Sequence, residues 1–506
     1  MDAAMGDAAS GGAIRTVLVA GNGLTGWCAA AALRRHAPFL RVMIAGGPAP
    51  AGALADRIVS ALPSLLAFQG DLGIGLDDAV ARTGSGYRLG TAFAGWNGDR
   101  ADFVHAYGRH GTSFGPTSFH LHWIRAAREG RALPFDAFSL AATLARADRF
   151  VPPGTKLGPP FGTHDHGLTL DLARYRAMMR AFALHAGAEE VDGDVVDSLP
   201  DERGLIGSAV LADGRRIAAD LFVDTTGPAA VLRSALPGAR DDWSRWLPCD
   251  RVLIADGPAP ESPPVLDRVT AVGAGWRWST ASPTRASHGI AYASAFAADA
   301  TAARQLRVAT GAEAEGDPIR VAAGTRRDPW AGNCIAIGDA ATEVEPLEWC
   351  NFHLALSGID RLIAMLPDRD CAPVELANYN RQALAEAERV RDFLALHYAV
   401  AKRPEPFWRA IAATRPPASL AHTLALFRER GRLPFYEEET FSRDSWAAVL
   451  LGQGVLPRRI DPLVEAVPER LSRETMAAFR GAVERALPTF PTHAAVLAEQ
   501  TRRAAR

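Results

Sequence analysis

Residues 15–26 read Arg15-Thr16-Val17-Leu18-Val19-Ala20-Gly21-Asn22-Gly23-Leu24-Thr25-Gly26. The first half is a short run of apolar and β-branched residues, as suits a strand buried in a parallel sheet. The second half spaces its glycines as G-x-G-x-x-G. Trp27 to His36 follows, rich in Ala, Leu and Arg, which are good helix formers. Leu40 to Ala45 (LRVMIA) reads as the next strand. Strand, glycine turn, helix and strand in about thirty residues form the minimal dinucleotide-binding unit.

The chemistry of that turn is specific. Gly21 permits the tight bend, Gly23 leaves room for a pyrophosphate against the backbone, and Gly26 lets helix and strand pack closely. The N–H groups of Leu24, Thr25 and Gly26 then face the phosphates at the positive end of the helix dipole. The acidic residue that often ends the second strand and binds ribose is absent. That strand ends Ile44-Ala45-Gly46-Gly47, so the ribose needs another partner.

Farther along, Ala219 to Asp224 and Asn333 to Ile337 read as strands returning to the same sheet, the second ending in Gly338-Asp339. An Asp there can accept hydrogen bonds from ribityl or ribose hydroxyls, or it can simply cap a helix. Paired with the glycine loop it points to FAD, because NAD needs only the first unit. The fold class is therefore α/β: a Rossmann-type FAD-binding fold with discontinuous substrate-domain insertions over residues 14–365. A mostly helical C-terminal region covers 366–506, interrupted by Pro404, Pro406, Pro416 and Pro417. Asp56 to Leu72 and Leu168 to Gly187 also read as helices.

Composition sets the outer bounds. Of 506 residues, 48% are apolar and 22% charged, as in an ordinary globular protein. A net charge of -2 offers no field to draw in nucleic acid or an anionic membrane. Cys28, Cys249, Cys334, Cys350 and Cys371 are scattered, with no C-x-x-C pair. They argue against a disulfide framework or zinc site and for a reducing compartment. With no signal-peptide pattern and no apolar run of membrane-spanning length, the chain reads as cytoplasmic. The Ala/Gly-rich start, Met1 to Gly12, reads as disordered, and the basic tip, Arg502 to Arg506, as a solvated tail. Nothing in the sequence decides between a monomer and a homodimer.

Along most of its length the sequence resembles the flavin-dependent tryptophan halogenases. The likeness rests on Gly21 to Trp27 (GNGLTGW), Gly86 to Trp96 (GYRLGTAFAGW), Asp224 to Gly227 (DTTG) and Leu247-Pro248-x-Asp250-Arg251. It continues through Gly275-Trp276-Arg277-Trp278, Gly338 to Glu348 (GDAATEVEPLE), His353 to Ile359, Ser445-Trp446 and Gly452-Gln453-Gly454. The resemblance implies that reduced FAD, supplied by a separate flavin reductase, reacts with oxygen and that chloride or bromide becomes hypohalous acid. This oxidant passes through a tunnel to a lysine and then to an aromatic substrate beside a glutamate. Cofactor contacts are expected from Gly21, Gly23, Leu24, Thr25, Gly26, Val195, Gly338, Asp339 and Asn351. Substrate or tunnel positions are Phe103, His105, Trp276, Trp278, Trp349, Cys350 and Trp446. Glu348 falls at the glutamate and Arg88 at the lysine.

Several positions depart from the family pattern. Arginine stays charged and is a poor nucleophile, so Arg88 can donate hydrogen bonds to hypohalous acid or, alternatively, pair with a carboxylate. Trp349-Cys350 replaces Ser-Thr beside the halide, and Asn351 replaces a small residue. Thr280-Ala281 replaces Ile-Pro, and Ile58-Val59-Ser60-Ala61 replaces the flavin loop's Gly-Glu-x-Thr. Trp349 can fill the halide position or divide the tunnel, and Cys350 reads as an inert thiol. The readings are a divergent halogenase, a flavin monooxygenase or oxidase on the same scaffold, and a non-catalytic flavin-binding partner subunit.

Phe103, His105, Tyr107, His110, His120, His122 and Trp123 form an aromatic and histidine cluster that can line an aromatic pocket. His120 and His122 are expected on one face of a strand. His164 and His166 are expected in an exposed loop. With no third ligand, neither pair makes a metal site.

Overall fold

A computed structural model describes residues 12–98, 101–115, 117–153 and 161–504. The Ala/Gly-rich start up to residue 11 and the last two residues of the basic tip lie outside them. The helices that position the site are α1 (Leu24–His36), α2 (Ser64–Leu72), α3 (Phe119–Arg128) and α4 (Leu172–His185). They continue with α5 (Cys350–Ala364), α6 (Pro373–Ala399) and α7 (Arg443–Gly452).

The nucleotide-type sheet has six strands. In spatial order they are Trp330–Ala331, Cys334–Ala336, Leu221–Asp224, Thr16–Ala20, Arg41–Ala45 and Glu189–Val191. All neighbours are parallel except the first pair. Both returning strands therefore join this sheet as expected. Every residue of α1 from Leu24 to Leu33 is buried, and α1 packs against α4 and α5. The run Ala29 to Ala32 keeps that face small enough for helices on both sides.

A second sheet of seven strands carries the aromatic site. Its order is Ile319–Arg320, Arg251–Gly257, Ala286–Tyr292, Gly275–Ala281, Leu266–Val272, Gly90–Ala94 and Phe103–Ala106. After residue 366 the regular elements are helical, led by the 27-residue α6. One hydrophobic cluster runs through Val17, Trp96, Trp276, Phe393 and Trp446, so it draws on both sheets and the C-terminal helices. Among the described residues no helix is long and apolar enough to cross a membrane.

Local readings need correction in three places. Asp56 to Leu72 is not one helix: Leu54–Asp56 is a single tight turn, Ser60–Ala61 pairs with Leu168 and Thr169, and only Ser64–Leu72 is α-helical. Pro63 holds its predecessor out of the helical region. Gly167–Thr169 is likewise strand, and α4 starts after Asp171, whose side chain accepts from Arg174 N–H at 3.1 Å. His120 and His122 lie on helix α3, not on a strand.

Candidate functional site

The glycine loop has the predicted strand-to-helix placement. Gly21 has φ +113°, which favours glycine, and its N–H donates to Ala45 O at 2.8 Å. Trp27 Nε1 donates to Asn22 Oδ1 at 2.6 Å and fixes the loop's outer edge. The N–H groups at the start of α1 meet an internal anion: Thr25 N–H donates to Asp56 Oδ1 at 2.8 Å. Burial pushes the Asp56 carboxyl up to about 6, although the Thr25 and Leu24 N–H groups and the Arg176 charge pull it down.

At the other end of the track Gly338 has φ +66°. Asp339 Oδ2 accepts from Ala55 N–H at 2.8 Å. Burial raises Asp339 to about 8 against that N–H, helped by the charges of Asp56 and Glu343. Thr25 Oγ1, Asp339 Oδ1 and Asn351 Oδ1 are buried without hydrogen-bond partners. Together with the glycine backbone they suit a diphosphate followed by a polyhydroxyl arm. A cavity of about 560 Å³ opens at the glycine loop, lined by Asn22, Gly23, Gly47, Asp56, Arg57 and Arg176. The exposed Asp194 carboxylate lies over Gly47, so an acidic group reaches the end of the second strand from elsewhere in the chain. Val195, beside it, packs with Met43 and Ala45.

The second centre is Glu348. Glu348 and Trp349 have φ +57° and +63°, two successive non-glycine residues in the left-handed region. Such conformations cost on the order of 1–3 kcal/mol each and persist only where packing fixes them. Glu348 Oε1 accepts from His105 Nδ1 at 2.9 Å and lies 3.0 Å from His397 Nε2, and all three side chains are 0% exposed. Burial alone would raise the Glu348 carboxyl. The His105 charge and hydrogen bond, with His397 close by, outweigh it and hold the group at about 2. Burial also keeps His397 below its ordinary value.

Aromatic rings close around this carboxylate. Phe93 stacks on His397 at 4.7 Å and on Phe103 at 5.0 Å. Phe441 stacks on Phe393 at 3.8 Å, and Trp446 meets Phe393 edge-on at 5.0 Å.

Arg88 lies in a neighbouring compartment and is fully buried. Its Nη2 is 2.6 Å from Asp267 Oδ2. Nη1 donates to Tyr107 OH and to Ala61 O, and Nη2 also donates to Thr91 Oγ1. Arg88 Nε has no partner. Trp349 Nε1 donates to Thr91 Oγ1 at 3.1 Å, and its ring meets Trp278 edge-on at 6.1 Å. Trp349 therefore stands between Trp278 and Arg88. Trp276 Nε1 donates to Tyr398 OH at 3.0 Å. Burial drives the Cys350 thiol well above its ordinary value, as befits an inert group.

The expected aromatic and histidine cluster is split. Phe103 and His105 reach the Glu348 centre. His120 bonds Gly431 O at 2.8 Å, and His122 bridges Thr117 Oγ1 and Ser472 Oγ on α3's far side. His110 stacks on Phe135. His164 and His166 are buried rather than exposed: His164 Nε2 bonds Val151 O at 2.8 Å, and His166 packs edge-on against Tyr87 and Phe150. Among the described residues no group of His, Cys, Asp and Glu is arranged to hold a metal. Sequence reasoning missed His397, Asp267 and Asp56. Each looks like an ordinary helix, strand or loop residue until the fold brings it to its partner.

The family described as "Tryptophan halogenase" matches residues 16–469. "Tryptophan 7-halogenase KtzQ" of Kutzneria sp. (strain 744) is 26% identical over 96% of this chain and 98% of its own. Among solved structures, BrvH, a flavin-dependent halogenase from Brevundimonas sp. BAL3, superposes with a TM-score of 0.89. It shares 33% identity over 96% of this chain and 99% of that one. Xcc4156, a flavin-dependent halogenase from Xanthomonas campestris, follows at TM-score 0.88 and 32% identity, covering 96% and 98%.

Proposed function

This chain belongs to the tryptophan halogenase family, and from that premise we propose that it is an FAD-dependent oxidoreductase that halogenates an indole or another aromatic substrate. Its reduced FAD comes from a separate flavin reductase, and chloride or bromide is the halide. The five cysteines are buried and free, which suits a reducing, cytoplasmic setting.

The observation that carries the reading is the buried Glu348 carboxyl, set against His105 and His397 inside an aromatic wall, an arrangement that favours its charged form. When bound, reduced FAD together with oxygen supplies the oxidising power that turns halide into an electrophile. The N–H groups of Leu24, Thr25 and Gly26 would hold the diphosphate, with Gly21 and Gly23 giving it room. Gly338, Asp339 and Asn351 would take the ribityl arm, and Val195 backs the nucleotide end. Trp276 and Trp278 separate substrate from cofactor. Glu348, kept charged by His105 and His397, stabilises the cationic ring and accepts the proton that the ring loses on substitution. Phe103 and Trp446 supply flat apolar contact for the ring. Arg88, paired with Asp267, offers no amine to carry halogen; its unpartnered Nε–H would donate to the oxidant instead.

The Arg88–Asp267 pair also favours a second reading, oxygenation of an aromatic substrate without halogen transfer. One experiment separates the two. Photoreduced FAD, oxygen and bromide are supplied with a panel of indoles and phenols, and products are read by mass spectrometry. Brominated product above a protein-free control is expected. Oxygenated product without bromine replaces that reading with the second. Saturable flavin binding with neither product points to a non-catalytic flavin-binding subunit.

A further inference from the structure

The tight turn Leu54–Asp56 lies between the two ends of the cofactor track and is bonded to both. At one end Thr25 N–H donates to Asp56 Oδ1 at 2.8 Å, and a Cβ on Gly23 would come within 2.5 Å of that oxygen. At the other, Ala55 N–H donates to Asp339 Oδ2 at 2.8 Å. The helix N-terminus attracts a carboxylate and a phosphate for the same reasons: N–H groups with no partner in the helix and a positive dipole end. The space over Gly23 holds one such anion. The turn precedes Ile58-Val59-Ser60-Ala61, the segment whose sequence departs from the flavin loop of the family.

Resting on the flavin reading above, we propose that Asp56 sets the cofactor affinity: its carboxylate is a built-in competitor for the diphosphate, and FAD binds only after the Leu54–Asp56 turn leaves the crevice. A ligand that expels Asp56 gains Thr25 N–H and meets Arg57 and Arg176, whose side chains line the same cavity. Arg176 is already held at the glycine loop by Asn22 O and Asn22 Oδ1, both at 2.8 Å. The apparent affinity is the intrinsic one reduced by the fraction of chains with the turn displaced. Removing the competitor raises that fraction and leaves every N–H donor in place.

The test is equilibrium binding of two probes, FAD by flavin fluorescence and inorganic pyrophosphate by calorimetry, to the wild-type chain and to Asp56→Ala. Asp56→Asn keeps the shape and loses the charge, and circular dichroism checks that each variant is folded. Both probes are expected to bind Asp56→Ala at least tenfold more tightly, with a smaller gain for Asp56→Asn. Unchanged or weaker binding of both probes to folded variants overturns the proposal, while FAD binding by the wild-type chain leaves the flavin reading standing. Tighter pyrophosphate with no FAD bound by any form sinks the flavin reading, and the proposal with it.

Discussion

Arg88 shows how one substitution changes the demands on its surroundings. A buried guanidinium needs a counter-charge, and Asp267 supplies it at 2.6 Å. Breaking such a pair from one side costs about 3–5 kcal/mol, because a charge is left stranded, whereas replacing both partners by apolar residues is often neutral. We therefore expect Arg88→Met to lower stability by about that amount and Arg88→Met/Asp267→Leu to recover most of it. Urea unfolding midpoints across the cycle check this, and additive losses would show that the pair is not coupled. The sequence alone allowed two roles for Arg88, and pairing with a carboxylate was one. It could not name Asp267, which reads as an ordinary position of an alternating strand. His397 was hidden for a related reason: a histidine inside a long helix carries no mark of the carboxylate it will face.

Among the elements, α1 and its glycine loop were the most legible, because every part of the signal is local in sequence. The strand, the three glycines and the helix formers agree, and the fold follows them. Asp56 reads in the sequence as the first residue of a helix running to Leu72, since the three-residue turn Leu54–Asp56 carries no periodicity and the capping bond to Thr25 joins separate segments. Gly23→Val tests the element directly. Its side chain would enter the space that Asp56 Oδ1 now approaches, so both the cap and the diphosphate position are lost. The expected result is a folded chain, about 1 kcal/mol less stable from the lost cap, with no measurable FAD binding. Unchanged flavin fluorescence quenching in a folded Gly23→Val chain would remove the loop from the cofactor site.

For the whole molecule, buried titratable groups pull stability in opposite directions. Burial lowers His110 to about 3 and His120, His122 and His166 to about 4. The unfolded chain protonates these near 6.5 and the folded chain does not, so the stability they contribute above 6.5 is lost as pH falls. Burial raises Asp56 to about 6, Glu345 to about 7 and Asp339 to about 8. Here the folded chain keeps protons that the unfolded one releases near 4, so stability is lost as pH rises through these values. Burial also raises Asp360 and Asp444 to about 6 and lowers His164, His288, His397 and His493, so the lowered histidines outnumber the raised carboxyls below 6.5 and the carboxyls act alone above it. The flavin-free chain should melt highest near pH 6.5, with midpoints about 1–2 °C lower at pH 5 and 8.5. Below 4.5 the loss steepens, as Glu348 and Glu386, both held at about 2, take up protons on unfolding. Scanning calorimetry across pH 4 to 9 would expose a flat profile, which this charge arrangement forbids.

The paired left-handed backbone at Glu348 and Trp349 has a bearing on how this lineage can change. Any mutational route at either position passes first through a torsional filter. Asn, Asp and Gly satisfy it cheaply, whereas Val, Ile and Thr are penalised before their side chains meet anything. A selection for new reactivity would thus sample a small alphabet at its most sensitive codons, and gains would more readily come from a neighbour such as Thr91, which Trp349 touches.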